Sequence, residues 1–334
     1  MTKTLRWALL STANINRALI QPIRDAERSE LAAVASRDGA RGQAYADEWG
    51  IPRAYASYEA LLADPEIDVI YNPLPNTFHA EWSIKAAQAG KHVLCEKPLT
   101  LTLDELDRVE AAAGQNDVTI FEAFMYLHHP QTRAVKRLID EGRIGTLQLI
   151  NSWFNFHLPA RNADNIRLQP ALGGGSLWDV GVYPNSLAIV MSGGRAPAEV
   201  WAQQVTAEND VEVGMMGQLR FADGPTAQIS SGFRTPFREG AYFVGDAGII
   251  HAPEPWKPGE QGKPSHITVT DLSGQTETLV FDGVSPYVYE VAAMEACVLD
   301  GEEPIVPLSL SREFLRSVLA LYASARSGET VRLG

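Results

Sequence analysis

The chain has 334 residues, of which 45% are hydrophobic and 21% charged, and its formal net charge is −13. That length exceeds what one core usually organises, so two domains are expected, and the apolar share suits a globular chain with sizeable cores. The acidic balance works against a general nucleic-acid surface while leaving room for a local basic pocket that holds a small anion.

The N-terminal stretch from Met1 to Arg6 runs straight into a strand pattern, without an apolar leader core, a twin-arginine signal or a small-residue cleavage site. Nowhere do about eighteen apolar residues run together, so no membrane span is expected and the cytoplasm is the expected compartment. The only cysteines are Cys95 and Cys297, and Cys95 lies in an apolar run, where a reduced buried thiol fits a reducing compartment.

Residues 6–11 predict a buried first strand. Ile15, Ala18, Leu19, Ile23 and Ala26 recur at helical spacing and predict a helix over 15–27, which Pro22 should kink or shorten. A second strand is predicted at 30–35, helices at 40–49 and 57–63, and a third strand at 67–71 with Asn72-Pro73-Leu74-Pro75 as its exit loop. Asn76 is placed to cap a helix over 77–89 that closes at Gly90. A fourth strand at 92–95, a helix at 102–114 and a fifth strand at 118–123 continue the alternation. Strand and helix in turn imply an α/β domain with a doubly wound parallel sheet over residues 1–125.

After a helix at 130–141 the texture changes. Residues 146–157 alternate like a long strand, and further strands are predicted at 198–206, 213–222, 225–233, 241–245, 266–271 and 276–281. Turns such as Ala222-Asp223-Gly224 and Ser273-Gly274 join them, so an open, mostly antiparallel sheet is expected. Helices at 177–192, 286–300 and 308–326 accompany it, and 253–264 reads as a surface loop. Residues 126–334 therefore read as an α+β domain.

The first strand–helix turn is where a Gly-x-Gly-x-x-Gly pattern would cradle a dinucleotide phosphate. The three positions here are Ser11, Ala13 and Asn16, so no glycine is present. Small residues still let a phosphate approach, the N–H groups of Ala13, Asn14 and Ile15 point from a helix N-terminus, and Ser11 and Thr12 add hydroxyls. A plain strand–helix turn accounts for the same residues equally well. At the end of the second strand stand Ser36 and Arg37, with Arg41 one turn on, where an NAD enzyme usually carries an acid. If the first turn holds a dinucleotide, the guanidiniums suit a 2′-phosphate and point to NADP over NAD; otherwise they are solvated loop arginines.

Glu96 and Lys97 follow the fourth strand without a spacer, and Pro98 ends it. Beyond the carboxyl end of a parallel strand is where ligands bind, although Lys97 taken alone reads as a solvated lysine. In Gly173 to Pro184, Asp179 and Tyr183 stand four apart and share one face of a helix. A phenol beside a carboxylate, met by a lysine ammonium, makes a competent proton relay. Ser176 with Asp179 also matches a Ser-x-x-Asp helix start, which would make the carboxylate a cap. His128-His129 offers no zinc-type spacing, so no metal is expected. Two aromatic clusters, Trp153-Phe154-Phe156 and Trp178-Tyr183, read as core or as pocket lining.

Three runs, Tyr71 to His79, Gly90 to Pro98 and Gly173 to Pro184, resemble in order and spacing the glucose–fructose oxidoreductase / inositol dehydrogenase / rhizopine-catabolism (Gfo/Idh/MocA) family, over essentially the whole chain. Within the family the chain looks most like the branch of dihydrodiol dehydrogenases and NADP-dependent D-xylose dehydrogenases. The resemblance implies an N-terminal Rossmann domain and a C-terminal α+β domain whose open sheet pairs with another subunit as a homodimer or homotetramer. It implies Lys97 as the catalytic lysine, Tyr183 as the acid/base and Asp179 as its partner, in a cleft between the domains. By the same likeness Pro73, Leu74, Asn76, His79 and Glu96 lie around the nicotinamide and its ribose, and Arg167 near the nicotinamide amide. The chain departs from the family in its glycine-free turn and in Leu127, where relatives of this branch carry an arginine.

The expected activity is NADP-dependent oxidation of a sugar or cyclic-diol hydroxyl, with NAD as the lesser cofactor. Two alternatives stand beside it. One is reduction of a keto-sugar such as 1,5-anhydrofructose or a nucleotide-linked 3-keto sugar. The other is a sensing protein that binds without chemistry, a role that fits poorly with the presence of Lys97, Asp179 and Tyr183 together.

Overall fold

The strand Leu5–Leu9 (β1) buries Leu5, Trp7, Ala8 and Leu9 completely. Burial on both faces belongs to an interior parallel strand. In the computed structural model, which describes residues 3–159, 162 and 164–334, β1 pairs in parallel with Ser29–Ala35 (β2) on one side. On its other side it pairs with Arg53–Tyr55's neighbour in the chain order of strands, Val69–Asn72, while Arg53–Tyr55 itself (β3) flanks β2. Val69–Asn72 (β4), His92–Cys95 (β5) and Ile120–Glu122 (β6) continue the sheet, whose order is β3-β2-β1-β4-β5-β6. The chain builds outward from β1 in one direction and then in the other, so the switch point, the usual ligand crevice of such sheets, falls between β1 and β4. Met1 and Thr2, with which the N-terminal reading began, lie outside the described residues.

The helices of this unit are Asn16–Asp25 (α1), Gly39–Trp49 (α2), Tyr58–Leu62 (α3), His79–Gln88 (α4) and Leu103–Asn116 (α5). Pro22 sits inside α1, and the helix runs only to Asp25. Thr102 starts α5 with a reciprocal capping box to Glu105. Asn76 does not cap α4: it opens a 3₁₀ turn, Asn76–Phe78, and α4 begins at His79. The extra strand β3 was not legible because its three residues are all half-buried and carry no alternation.

One turn, Met125–His128 (α6), leads into the second unit, whose first full helix is Pro130–Asp140 (α7). Its strands are Leu147–His157 (β7), Glu199–Thr206 (β8), Glu212–Arg220 (β9), Thr226–Gly232 (β10), Arg234–Gly245 (β11), Gly248–Ala252 (β12), Ser265–Asp271 (β13), Thr276–Phe281 (β14) and Val331–Arg332 (β15). They form one sheet in the order β14-β13-β12-β11-β7-β10-β9-β8-β15. All pairs are antiparallel except β7 with β10. A π-helical stretch, Leu177–Gly181, leads into Val182–Met191 (α8), where the sequence predicts one uniform helix. β11 is longer than its predicted 241–245, and β12 went unpredicted because only two residues, Asp246 and Ala247, separate it from β11.

The remaining helices are Pro286–Glu295 (α9), followed by a π turn at Ala296–Asp300, and Leu308–Ser327 (α10). By contact the chain divides into Met1–Met125 with Tyr287–Ser311, and Tyr126–Pro286 with Arg312–Gly334. Residues 287–311 follow the second sheet in sequence yet pack with the first unit. Arg28 forms a two-pronged ion pair with Asp300 at 2.8 and 2.9 Å, and the Ser29 hydroxyl donates to Glu295 at 2.7 Å. Among the described residues, no helix is long and apolar enough to cross a membrane.

Lys91, which opens the motif of β5, is a structural lysine. It is buried, and its ammonium donates to the carbonyls of Asp64 at 2.7 Å and Ile67 at 2.8 Å in the loop leading to β4. Lys91→Met strands both carbonyls, and urea unfolding should report a loss of about 2–3 kcal/mol. An unchanged urea midpoint would remove this role.

Candidate functional site

Ser11 follows β1 with φ of +157°, at the edge of the region that glycine favours. Two contacts hold it there. Ala13 N–H donates to Ser11 Oγ at 3.2 Å, and the buried Asn16 amide donates to the Ser11 carbonyl at 2.8 Å. Side-chain hydrogen bonds thus shape a turn that glycines usually shape by conformational freedom.

Thr12, Ala13 and Asn14 line a pocket of about 410 Å³ with Arg17 of α1 and Arg41, Ala44, Tyr45 and Glu48 of α2. Tyr45 Oη and Asn16 Oδ1 are buried without a hydrogen-bond partner. Burial raises the pKa of the Tyr45 phenol, and the Asn16 side chain offsets part of that rise. Small residues, a hydroxyl, two guanidiniums and the unsatisfied Tyr45 Oη fit a phosphorylated dinucleotide. Arg17, Ala44, Tyr45 and Glu48 were missed in the sequence, although Arg41, Ala44, Tyr45 and Glu48 fall at i, i+3, i+4 and i+7, one face of a helix.

Ile15, Ser36 and Arg37 do not line this pocket. Ser36 Oγ accepts the Asp38 N–H at 3.2 Å, and Asp38 caps α2 by accepting the Arg41 N–H at 3.1 Å. The carboxylate that follows β2 is therefore engaged by the helix it starts.

The exits of β4 and β5 are tied together. Asn72 is fully buried, and its amide donates to the His79 carbonyl and to Ser83 Oγ, both at 3.1 Å. His79 places Nε2 2.6 Å from the Leu74 carbonyl and Nδ1 2.7 Å from the Pro98 carbonyl. Burial lowers its pKa to about 4, while the two carbonyls facing its nitrogens favour the protonated ring and restrain the shift. Its nitrogens thus serve the two loops, Pro73–Asn76 and Glu96–Leu99. Tyr71 donates its phenol to Glu96 at 2.6 Å, and the Lys97–Pro98 peptide is cis. Leu99 N–H donates to the buried Glu122 at 2.9 Å. Neither oxygen of Glu290 on α9 has a partner, and burial together with the nearby Glu96 favours its uncharged form.

In the second unit Asp179 accepts from Arg167 Nε at 2.7 Å. Arg167 is the residue that the family likeness puts near the nicotinamide amide. The arginine side chain is 41% exposed and the aspartate 13%, so the pair orients the carboxylate and contributes at most about 1 kcal/mol. Tyr183 is buried among aromatic rings, with centroids of Tyr126 at 5.7 Å, Phe154 at 5.5 Å and Trp256 at 5.8 Å. Phe154 stacks on Trp256, so of the first aromatic cluster it is Phe154 that meets Tyr183. Trp153 packs instead with Tyr242, Phe156 with Phe233, and Trp178 with Tyr322. The alternative reading of Ser176 and Asp179 as a helix cap finds no side-chain cap bond from Ser176, whose hydroxyl goes instead to Glu212, 36 residues along the chain. Among the described residues, no group of three or more His, Cys, Asp and Glu side chains could hold a metal ion.

The family profile "Oxidoreductase family, NAD-binding Rossmann fold" matches residues 5–124, and the "GFO/IDH/MocA C-terminal domain" matches residues 132–251. The chain is 39% identical to "D-xylose 1-dehydrogenase (NADP(+)) 2" of Haloferax volcanii, over 98% of this chain and 100% of that protein. It is 32% identical to a dTDP-3,4-didehydro-2,6-dideoxy-alpha-D-glucose 3-reductase of Actinomadura kijaniata, over 90% of this chain and 89% of the other. The crystal structure of an aldose-aldose oxidoreductase from Caulobacter crescentus, complexed with glycerol, superposes with a TM-score of 0.89 at 26% identity, covering 99% of this chain and 100% of that one.

Burial at the foot of the Glu96–Leu99 turn has a measurable signature. It raises the pKa of Glu122 from 4.5 to about 7. The folded state therefore holds a proton that the unfolded state has released between those values. Stability from this group is full below pH 4.5 and lost as pH rises through about 7. Glu122→Gln should flatten this part of the Tm–pH curve, removing a swing of roughly 3 kcal/mol. A variant curve parallel to the wild type over that window would contradict the buried assignment.

Proposed function

The chain belongs to the GFO/IDH/MocA oxidoreductase family, and on that premise we propose that it is an NADP-dependent dehydrogenase of a sugar or cyclic-diol hydroxyl. The observation that carries the cofactor reading is the pocket of Thr12, Ala13, Asn14, Arg17 and Arg41, whose two guanidiniums suit a 2′-phosphate. NADP, when bound, supplies the acceptor for the hydride removed from the substrate carbon.

The rest falls to this chain's own residues. Tyr183 takes the proton of the substrate hydroxyl during oxidation and returns it during reduction. The Lys97 ammonium lowers the cost of the phenolate by its positive charge, and Asp179, oriented by Arg167, completes the relay. Pro73, Leu74, Asn76 and His79 shape the nicotinamide end, with His79 acting through the backbone of the two loops. The packing of Tyr183 against Phe154 and Trp256 supports a substrate with one apolar ring face, which both pyranoses and cyclic diols offer.

A second reading, reduction of a nucleotide-linked keto-sugar, is supported by the likeness to the Actinomadura enzyme. It uses the same groups in the opposite direction, and a substrate panel separates the two. The compartment we propose is the cytoplasm.

We also propose that a second copy covers the open face of the second sheet, giving a homodimer or a homotetramer. Trp201, Met216, Tyr242 and Ile249 are exposed on its strands, while their neighbours Val200, Met215, Phe243 and Ile250 are buried on the other face. Light scattering should give at least twice the mass of one chain, and the double variant Met216→Lys with Tyr242→Lys should lower it to one. A monomeric wild type would end this proposal.

Lys97→Met and Tyr183→Phe should each lower kcat by roughly 10²- to 10⁴-fold. NADP affinity, followed by fluorescence titration, should stay near the wild-type value in both. Near-normal turnover in either variant would falsify that residue's role.

A further inference from the structure

We propose that Glu212 is a positioning residue for the Asp179–Tyr183 segment, holding the start of the π-helical stretch so that the phenol and its carboxylate partner keep one geometry. The inference rests on the reading of Tyr183 as the acid/base.

Glu212 begins β9 and is 5% exposed. One carboxylate oxygen accepts the Ser176 hydroxyl at 2.6 Å. The other accepts the Leu177 N–H at 2.7 Å and the Tyr322 phenol at 3.3 Å. Ser231 of β10 stands 3.0 Å from Ser176 Oγ, which has spent its own proton on Glu212, so Ser231 is the donor of that pair. Every neighbour thus offers Glu212 a hydrogen, and only the ionised carboxylate accepts from all of them. Burial works the other way and raises the pKa of Glu212, while these same donors restrain the rise. A buried carboxylate is a costly way to fill space, since an apolar side chain of similar volume would pack without the desolvation penalty. What the charge supplies is a fixed acceptor at a helix start whose N–H groups have no partner inside the helix.

The stretch it holds has little freedom elsewhere. Gly175 has φ of +135°, and a Cβ there would lie 2.8 Å from Tyr322 Oη. A Cβ on Gly181 would lie 2.7 Å from Ser231 Oγ. Asp179 N–H closes onto the Gly175 carbonyl at 3.0 Å. Asp179 and Tyr183 therefore stand on a short segment clamped by β9, β10 and α10, and π-helical stretches of this kind are frequent at functional sites.

The test is Glu212→Gln, with Glu212→Asp as the charge-keeping control and Tyr183→Phe in parallel. In Glu212→Gln an amide donor meets a donor, so kcat should fall roughly 10- to 100-fold. The affinity for NADP should hold, and the limb of the pH–rate profile assigned to the phenol should move. Glu212→Asp should recover part of kcat. Should Glu212→Gln fail to fold, Ser176→Ala carries the same expectation at smaller size, because it removes one donor and leaves the carboxylate in place. A Tm loss in Glu212→Gln with wild-type kcat and pH profile, beside an inactive Tyr183→Phe, overturns the positioning role and leaves the acid/base reading standing. Full turnover in Tyr183→Phe overturns both.

Discussion

Parallel pairing of buried strands is the constraint on which the first unit depends. Because β1, β2, β4, β5 and β6 all run the same way, their carboxyl ends meet at one edge. The residues that follow those ends are Leu10, Ser36, Pro73, Glu96 and Ala123, with Ser11 next after Leu10. Register sharpens the arrangement: Asn72 lies opposite Cys95, and Cys95 opposite Glu122. The polar groups at this edge are tied to one another through His79, Tyr71 and Glu122, so the turn that bears Lys97 is fixed from both sides.

The second unit solves a similar problem by other means. Its sheet is mixed and largely antiparallel, and no common strand edge gathers the chemistry. A buried carboxylate takes over that task, with Glu212 drawing together a helix start, a strand and α10. Three buried glutamates illustrate how partners decide charge. Glu212 has donors on both oxygens and is read as ionised, Glu122 has one backbone donor and titrates at about 7, and Glu290 has none and is held uncharged.

The alternating strands and helices of the first half were legible because continuous apolar runs such as Val93-Leu94-Cys95 leave few other readings. Short or half-buried elements such as β3 and β12 carry no such pattern. The first turn fails as a glycine fingerprint, yet Ser11 adopts φ of +157° because Asn16 and Ala13 hold it, and no residue-type rule announces that bond. Asn76 and Ser176 both look like caps in the sequence, but neither serves as one. Ser176 gives its hydroxyl to a residue 36 positions away, a tertiary partner that local spacing does not reveal. The one-face spacing of Arg41, Ala44, Tyr45 and Glu48 was readable and points the other way: a helix face can mark a pocket as well as a core.

The central claim, an oxidoreductase that uses NADP on a sugar or cyclic-diol hydroxyl, is tested most directly by absorbance at the NADPH band. The wild-type protein would be offered NADP or NAD with xylose, glucose or a cyclic diol. The account predicts steady NADPH formation with at least one of these substrates, faster with NADP than with NAD. No reduction of either cofactor with any of them, or a clear preference for NAD, would contradict it.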